Sequence, residues 1–177
     1  MNQPFRSILE LDDRLSHRLR VAEKPGFLRS LAAVVNHSGD SWFWLAGLLL
    51  GIFLVSGSWR LFFIILALAI FVTAALVLVL KFTIRRQRPA GDWGQVYRET
   101  DPHSFPSGHA ARGLLIGVIA LGLTPAWLGL ALIIWGPMVG LARVAMGVHY
   151  ISDVLAGWVL GLGMGLLTLF VAHTWLL

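Results

Sequence analysis

LFFIILALAIFVTAALVLVLKFTIRRQRP, residues 61–89, is the stretch on which the fold turns. From Leu61 to Leu80 it holds no charged residue, no glycine and no proline. About twenty such residues in a helix rise roughly 30 Å, the thickness of a bilayer's hydrocarbon core. At Lys81 the character changes within one residue, and Arg85, Arg86, Arg88 and Pro89 follow. A membrane-spanning helix therefore ends in a basic segment that must lie at the water interface.

Other apolar runs flank this one. They cover Trp42–Trp59, about Ala110–Leu123, about Ala126–Ala142 and Val154–Leu177. Apolar residues make up 57% of the 177-residue chain and charged residues only 13%, about half the charged share of a soluble domain. The charges are also clumped: residues 1–30 hold six basic and four acidic side chains, and residues 81–112 hold six and three. This pattern excludes a water-soluble globule and predicts an all-α, polytopic membrane helix bundle of about five transmembrane helices. Glycines four apart, Gly47/Gly51 and Gly157/Gly161/Gly165, suit close helix packing. With no cysteine, disulfides, Cys-based zinc and thiol catalysis are ruled out. The net charge of +5 sits between apolar spans, which points to a membrane surface or anionic head group rather than nucleic acid.

Before the spans, Ile8, Leu11, Leu15 and Leu19 recur at helical spacing with Arg14, Arg18 and Arg20 between them. That predicts an amphipathic helix, ended by Pro25-Gly26 and followed by a short apolar helix, Phe27–Val35. Asn36 to Asp40 reads as a turn. An interfacial pair and an ordinary packed terminal pair fit equally well. The first thirty residues lack the apolar region of a cleavable leader. The chain reads as one domain, residues 1–177, with 1–40 amphipathic and 41–177 a transmembrane bundle.

Five spans bring segments 81–109 and 143–153 to the same side of the membrane, and three polar clusters gather there. The first is Lys81 to Pro89. The second is Phe105-Pro106-Ser107-Gly108-His109, and the third runs from Arg143 through His149 to Asp153. Lys81 and Arg88 are donors suited to phosphate oxygens. Ser107-Gly108 at a helix start offers backbone N–H groups and a hydroxyl to an anion. A helix starting near His149 would bring it and Asp153, four residues apart, onto one face. The carboxylate then holds one imidazole nitrogen protonated and leaves the other as a nucleophile. His109, from another helix, is placed for general acid–base work. Each feature also has a plainer reading. The arginines can anchor lipid, Ser-Gly can be a turn, and His149 with Asp153 can be a metal pair, with His103 the one extra ligand in reach.

The spacings Lys81-x6-Arg88-Pro89, Pro106-Ser107-Gly108-His109 and Arg143-x5-His149-x3-Asp153 together resemble the three signature motifs of the type 2 phosphatidic acid phosphatase (PAP2) superfamily. Two departures are visible: Ala142 stands where the third motif usually has serine, and five spans are read where membrane members usually have six. The resemblance implies a multi-pass protein of a bacterial-type plasma or inner membrane that hydrolyses a lipid phosphate or diphosphate without cofactor or metal. Polyprenyl phosphates, phosphatidylglycerol phosphate and phosphatidic acid are the implied substrates. It implies that His149 attacks phosphorus, that Asp153 orients it, and that His109 protonates the leaving group. It further implies that Lys81, Arg88, Ser107, Gly108 and Arg143 hold the phosphate. A phosphotransferase using the same phosphohistidine is the alternative activity.

Orientation is left open by the sequence. Parity places Arg60 alone on the far face, and the bases Arg6, Arg14, Arg18, Arg20 and Lys24 on the near one. The positive-inside rule then turns the site toward the cytoplasm, whereas the resemblance implies the extracytoplasmic side.

Overall fold

The computed structural model describes residues 3–91 and 93–176; Leu177 and the side chain of Arg6 lie outside the described residues. Eight helices run in the order α1 (Gln3–Arg18), α2 (Phe27–Ser38), α3 (Ser41–Leu54), α4 (Gly57–Ile84), α5 (Gln95–Thr100), α6 (Gly108–Leu123), α7 (Ala126–Ala145) and α8 (Ile151–Trp175). Among the described residues the only ladder-type pairing is an isolated bridge between Gln87 and His103. The fold is an all-α membrane helix bundle.

Three helices, α4, α7 and α8, are long and apolar enough to cross a membrane, while α3 and α6 are shorter apolar helices. The anticipated span from Trp42 to Trp59 is cut short. α3 ends at Leu54, and Gly57, with φ of +62°, turns the chain so that Trp59 belongs to α4. Arg60 Nε then donates to the Ile52 carbonyl at 2.8 Å, tying the two helices at that corner. At 14 residues α3 rises only about 21 Å.

The middle of the bundle is α6, packed on α7 and α8. Its Leu115, Ile116, Ile119 and Ala120 have no exposed surface. Small residues make the approach possible. A Cβ on Gly136 of α7 would fall inside the Gly113 backbone of α6, and one on Gly161 of α8 would fall on the Ala111 carbonyl. The outer surface carries apolar side chains such as Phe71, Trp127, Val159 and Phe170, each at least two-thirds exposed, as a lipid-facing surface requires.

α2 runs farther than its composition suggests. Asn36, His37 and Ser38 complete the helix instead of forming a turn. Asn36 is wholly buried and accepts from Arg143 Nη1 at 2.8 Å, while the Ser38 carbonyl and hydroxyl accept from the indoles of Trp44 and Trp135. Those tertiary bonds hold residues that would otherwise favour a turn.

Candidate active site

The polar end of α4 and the starts of α6 and α8 converge on one cavity of about 370 Å³. Lys81, Arg88, Gly108, His109, Arg143 and His149 all line it, together with Tyr97, Asp101 and Arg112. The lining that α4 contributes before Lys81 is mostly apolar, Ile70, Ala74, Val77 and Leu78, with Thr73 among them. The geometry thus joins a cationic pocket to a hydrocarbon-like wall on a helix of membrane-spanning length.

His149 lies two residues before α8, not within it, and is 1% exposed. Arg88 Nη1 approaches its Nε2 to 3.0 Å. Arginine can only donate, so His149 Nε2 is the nitrogen with the lone pair and Nδ1 carries the hydrogen. Nδ1 faces Asp153 Oδ2 at 3.4 Å. Burial, followed by the charges of Arg88, Arg143 and Lys81, holds the imidazole well below its ordinary pKa; the ring is neutral at pH 7.

Asp153 is fully buried at the third position of α8. Its Oδ2 also accepts from the Tyr150 N–H at 2.9 Å, and its Oδ1 accepts from Arg86 Nη1 at 2.8 Å. Ser104, another buried residue that the motifs did not single out, is fixed by its hydroxyl, which donates to the Gln87 carbonyl at 3.2 Å.

The cations have partners of their own. Lys81 Nζ and Arg88 Nη2 both reach the Asp101 carboxylate, the latter at 2.7 Å. Arg88 also donates from Nε to the Asp101 carbonyl and from Nη1 to the Val148 carbonyl, at 2.6 and 2.9 Å. Arg143 is 1% exposed, with its guanidinium 4.4 Å above the Tyr97 ring, and its Nε has no hydrogen-bond partner among the described residues. A buried, unpaired N–H beside the cavity is a donor in want of an acceptor.

His109, on the first turn of α6, donates from Nε2 to Asp40 Oδ1 at 3.0 Å. Asp40 Oδ2 takes a second bond from His37 Nδ1 at 2.9 Å. Burial alone would raise the Asp40 carboxyl, but the two histidine bonds outweigh it and hold the group well below the usual carboxylate range. Ser107 stands behind Gly108: its hydroxyl accepts from the Ala110 N–H at 3.4 Å as the cap of α6, and its N–H bonds the Asp153 carbonyl at 2.9 Å. His103 is apart from the cavity, edge-on to Phe82, and no group of three His, Asp or Glu is gathered for a metal among the described residues.

Sequence reasoning missed Asp40, Asp101, Tyr97 and Ser104. The last three flank the second motif, in or just after a six-residue helix with no apolar period to reveal it. Asp40 falls in the stretch that reads as a turn, and its distance in sequence from His109 hides the pairing.

The chain is also similar to known proteins. The model of the PAP2 superfamily matches residues 62–176. The chain is 30% identical over 154 residues to the undecaprenyl-diphosphatase of Sulfolobus acidocaldarius, covering 83% of this chain and 72% of that one. It is 34% identical over 151 residues to the decaprenylphosphoryl-5-phosphoribose phosphatase of Mycobacterium tuberculosis, covering 82% and 80%. In three dimensions it shares the fold of the transmembrane PAP2-type phosphatidylglycerolphosphate phosphatase of Bacillus subtilis, with a TM-score of 0.80, 24% identity and coverage of 96% and 88%. This membrane helix bundle, with its cationic cavity set against an apolar wall, belongs to the PAP2 superfamily and is a phosphoric ester hydrolase.

Proposed function

We propose that the protein removes phosphate from a polyprenyl phosphate or diphosphate through a phosphohistidine on His149. The observation that carries this reading is the neutral His149 with its Nε2 lone pair turned to Arg88 at a cavity lined by Lys81, Arg143 and His109. The apolar α4 wall suits a lipid tail reaching the site from the bilayer, and two relatives carry polyprenyl substrates in their names.

In the first step Nε2 of His149 forms a bond to the terminal phosphorus as the bond from that phosphorus to the leaving oxygen breaks. The leaving oxygen is the lipid alkoxide's in a monophosphate and the lipid monophosphate's in a diphosphate. That oxygen takes a proton from His109. The imidazole becomes cationic, and Asp153, against the Nδ1 hydrogen, stabilises it. Lys81, Arg88, Arg143 and the Gly108 N–H, placed by the Ser107 cap, hold the three equatorial oxygens. Phosphoryl transfer needs chiefly positioning and charge neutralisation, which these cations supply without a metal. Water then attacks phosphorus, gives a proton to His109, and releases phosphate and neutral His149.

Incubating the detergent-solubilised protein with a polyprenyl diphosphate carrying ³²P at its terminal (β) phosphorus in EDTA, with an alkaline quench, tests this directly. Acid-labile label on His149, lost in His149→Ala, is expected. Label transfer to an added acceptor lipid in place of water would instead assign a phosphotransferase, and absence of label on His149 would overturn the reading.

A further inference from the structure

The catalytic pair is held from behind by a helix more than 130 residues away in sequence. Asp12 of α1 accepts from the Ser152 N–H at 3.1 Å through Oδ1, and from Arg86 Nη2 at 2.7 Å and the Ser152 hydroxyl through Oδ2. One turn on, the Ser16 hydroxyl accepts from the Ile151 N–H at 2.9 Å. These are the first two N–H groups of α8, which no partner within the helix can satisfy. Arg86 closes the arrangement, since its guanidinium bridges Asp12 and Asp153 and lies 3.9 Å over the Tyr150 ring. Asp12 itself is 9% exposed at the side chain, an unusual depth for a carboxylate on an amphipathic helix whose other face leaves Ile8 and Leu11 about half exposed or more.

We propose that Asp12 is a positioning residue for the reaction: by sharing Arg86 with Asp153, it sets how firmly the Asp153 carboxylate engages His149. The inference rests on the roles given above to His149 and Asp153. Arg86 is a cation placed between two carboxylates. With Asp12 present its charge is divided. Without Asp12 the guanidinium turns wholly to Asp153 and weakens the carboxylate's hold on the Nδ1 hydrogen. Without Arg86 the same carboxylate is freed toward His149. The other charges facing His149 are Lys81, Arg88 and Arg143, while Asp13 and Arg20 border Tyr150; none of them bridges Asp12 and Asp153. Ser16 supports the same helix end without touching Arg86, which separates a structural role from a positioning one.

The test is a set of pH–rate profiles on a polyprenyl phosphate in detergent for Asp12→Asn, Asp12→Glu, Arg86→Gln and Ser16→Ala. Asp12→Asn is expected to lower kcat about tenfold, the lower end of what a residue behind a reactive histidine contributes, with KM held within about twofold, and to move the acid limb of kcat/KM to lower pH. Arg86→Gln moves that limb to higher pH, because a cation beside Asp153 is lost. Asp12→Glu restores most of kcat, and Ser16→Ala leaves the limb in place. Shifts of the same sign in Asp12→Asn and Arg86→Gln, or a limb moved equally by Ser16→Ala, overturn the proposal. If Asp12→Asn does not fold, the upward shift in Arg86→Gln decides, and its absence is equally fatal. Labelling of His149 in the wild-type protein, measured alongside, shows whether a failure belongs to this inference or to the reaction it rests on.

Discussion

Arg88 donates to His149 Nε2 while its second terminal nitrogen holds Asp101. One guanidinium therefore touches both the proposed nucleophile and an acid that lines the same cavity. Because arginine has no acceptor, this contact also decides which ring nitrogen is free to attack.

Arg88→Gln is expected to lower kcat by about 10²–10³, the loss seen when one transition-state donor is removed. Arg88→Lys recovers little of it, because an ammonium cannot span Asp101, the Val148 carbonyl and His149 as the fork does. Steady-state kinetics on the two variants measure both effects, and lysine at near wild-type rate would contradict the role of the fork.

Asp101 pairs with Lys81 and Arg88, the two cations proposed to hold phosphate. Its side chain is 40% exposed, whereas those of Lys81 and Arg88 are 6% and 2% exposed, so water screens the pairs from the carboxylate side. Asp101→Asn is therefore expected to tighten inhibition by orthovanadate about two- to fivefold. Weaker inhibition would mean that the carboxylate arranges the two cations instead of occupying their site.

The pH dependence follows from the burial of His149 among cations. The protonated ring cannot attack, and its folded pKa lies below the ordinary value of about 6.5. The acid limb of kcat/KM is therefore expected below pH 6.5, and a limb at or above that value would falsify the assignment. Stability carries the same sign. The unfolded chain takes up a proton at His149 below about pH 6.5 while the folded one does not, so stability is lost as pH falls through that region. Thermal unfolding of wild type and His149→Gln across pH 5–8 reads the difference (the variant's curve being the flatter one).

Asn36 supplies the acceptor for Arg143 Nη1 in a site with no exposed surface on Asn36. Asn36→Leu leaves that buried donor unpaired, at a cost of about 1–3 kcal/mol. A lower midpoint of thermal unfolding in detergent, together with a raised KM for the lipid phosphate, is expected. An unchanged KM would show that Arg143 keeps its place without Asn36.

Much of the molecule was legible from local features. The uninterrupted apolar run Leu61–Leu80 required a spanning helix because its backbone and side chains have no other stable setting of that length. The abrupt change at Lys81 required an interface, and parity then placed the second and third motifs beside it. The family followed from motif spacing, which is also local. Boundaries were less legible: Trp59 joined α4, and Asn36 to Ser38 extended α2, because a turn and a pair of indoles offered bonds that the linear pattern does not display.

What the sequence by itself determined was the long apolar helices, the face on which their polar ends meet, and the residues whose chemistry suits phosphate. Only the tertiary structure decided their partners: Asp40 with His109, Asp101 with Lys81 and Arg88, Asn36 with Arg143, and Asp12 with Arg86. The reason is physical. Apolar length and helical period are properties of consecutive residues, whereas a buried charge takes whichever opposite group packing brings within about 3 Å, and these pairs are separated by as few as 13 and as many as 107 residues.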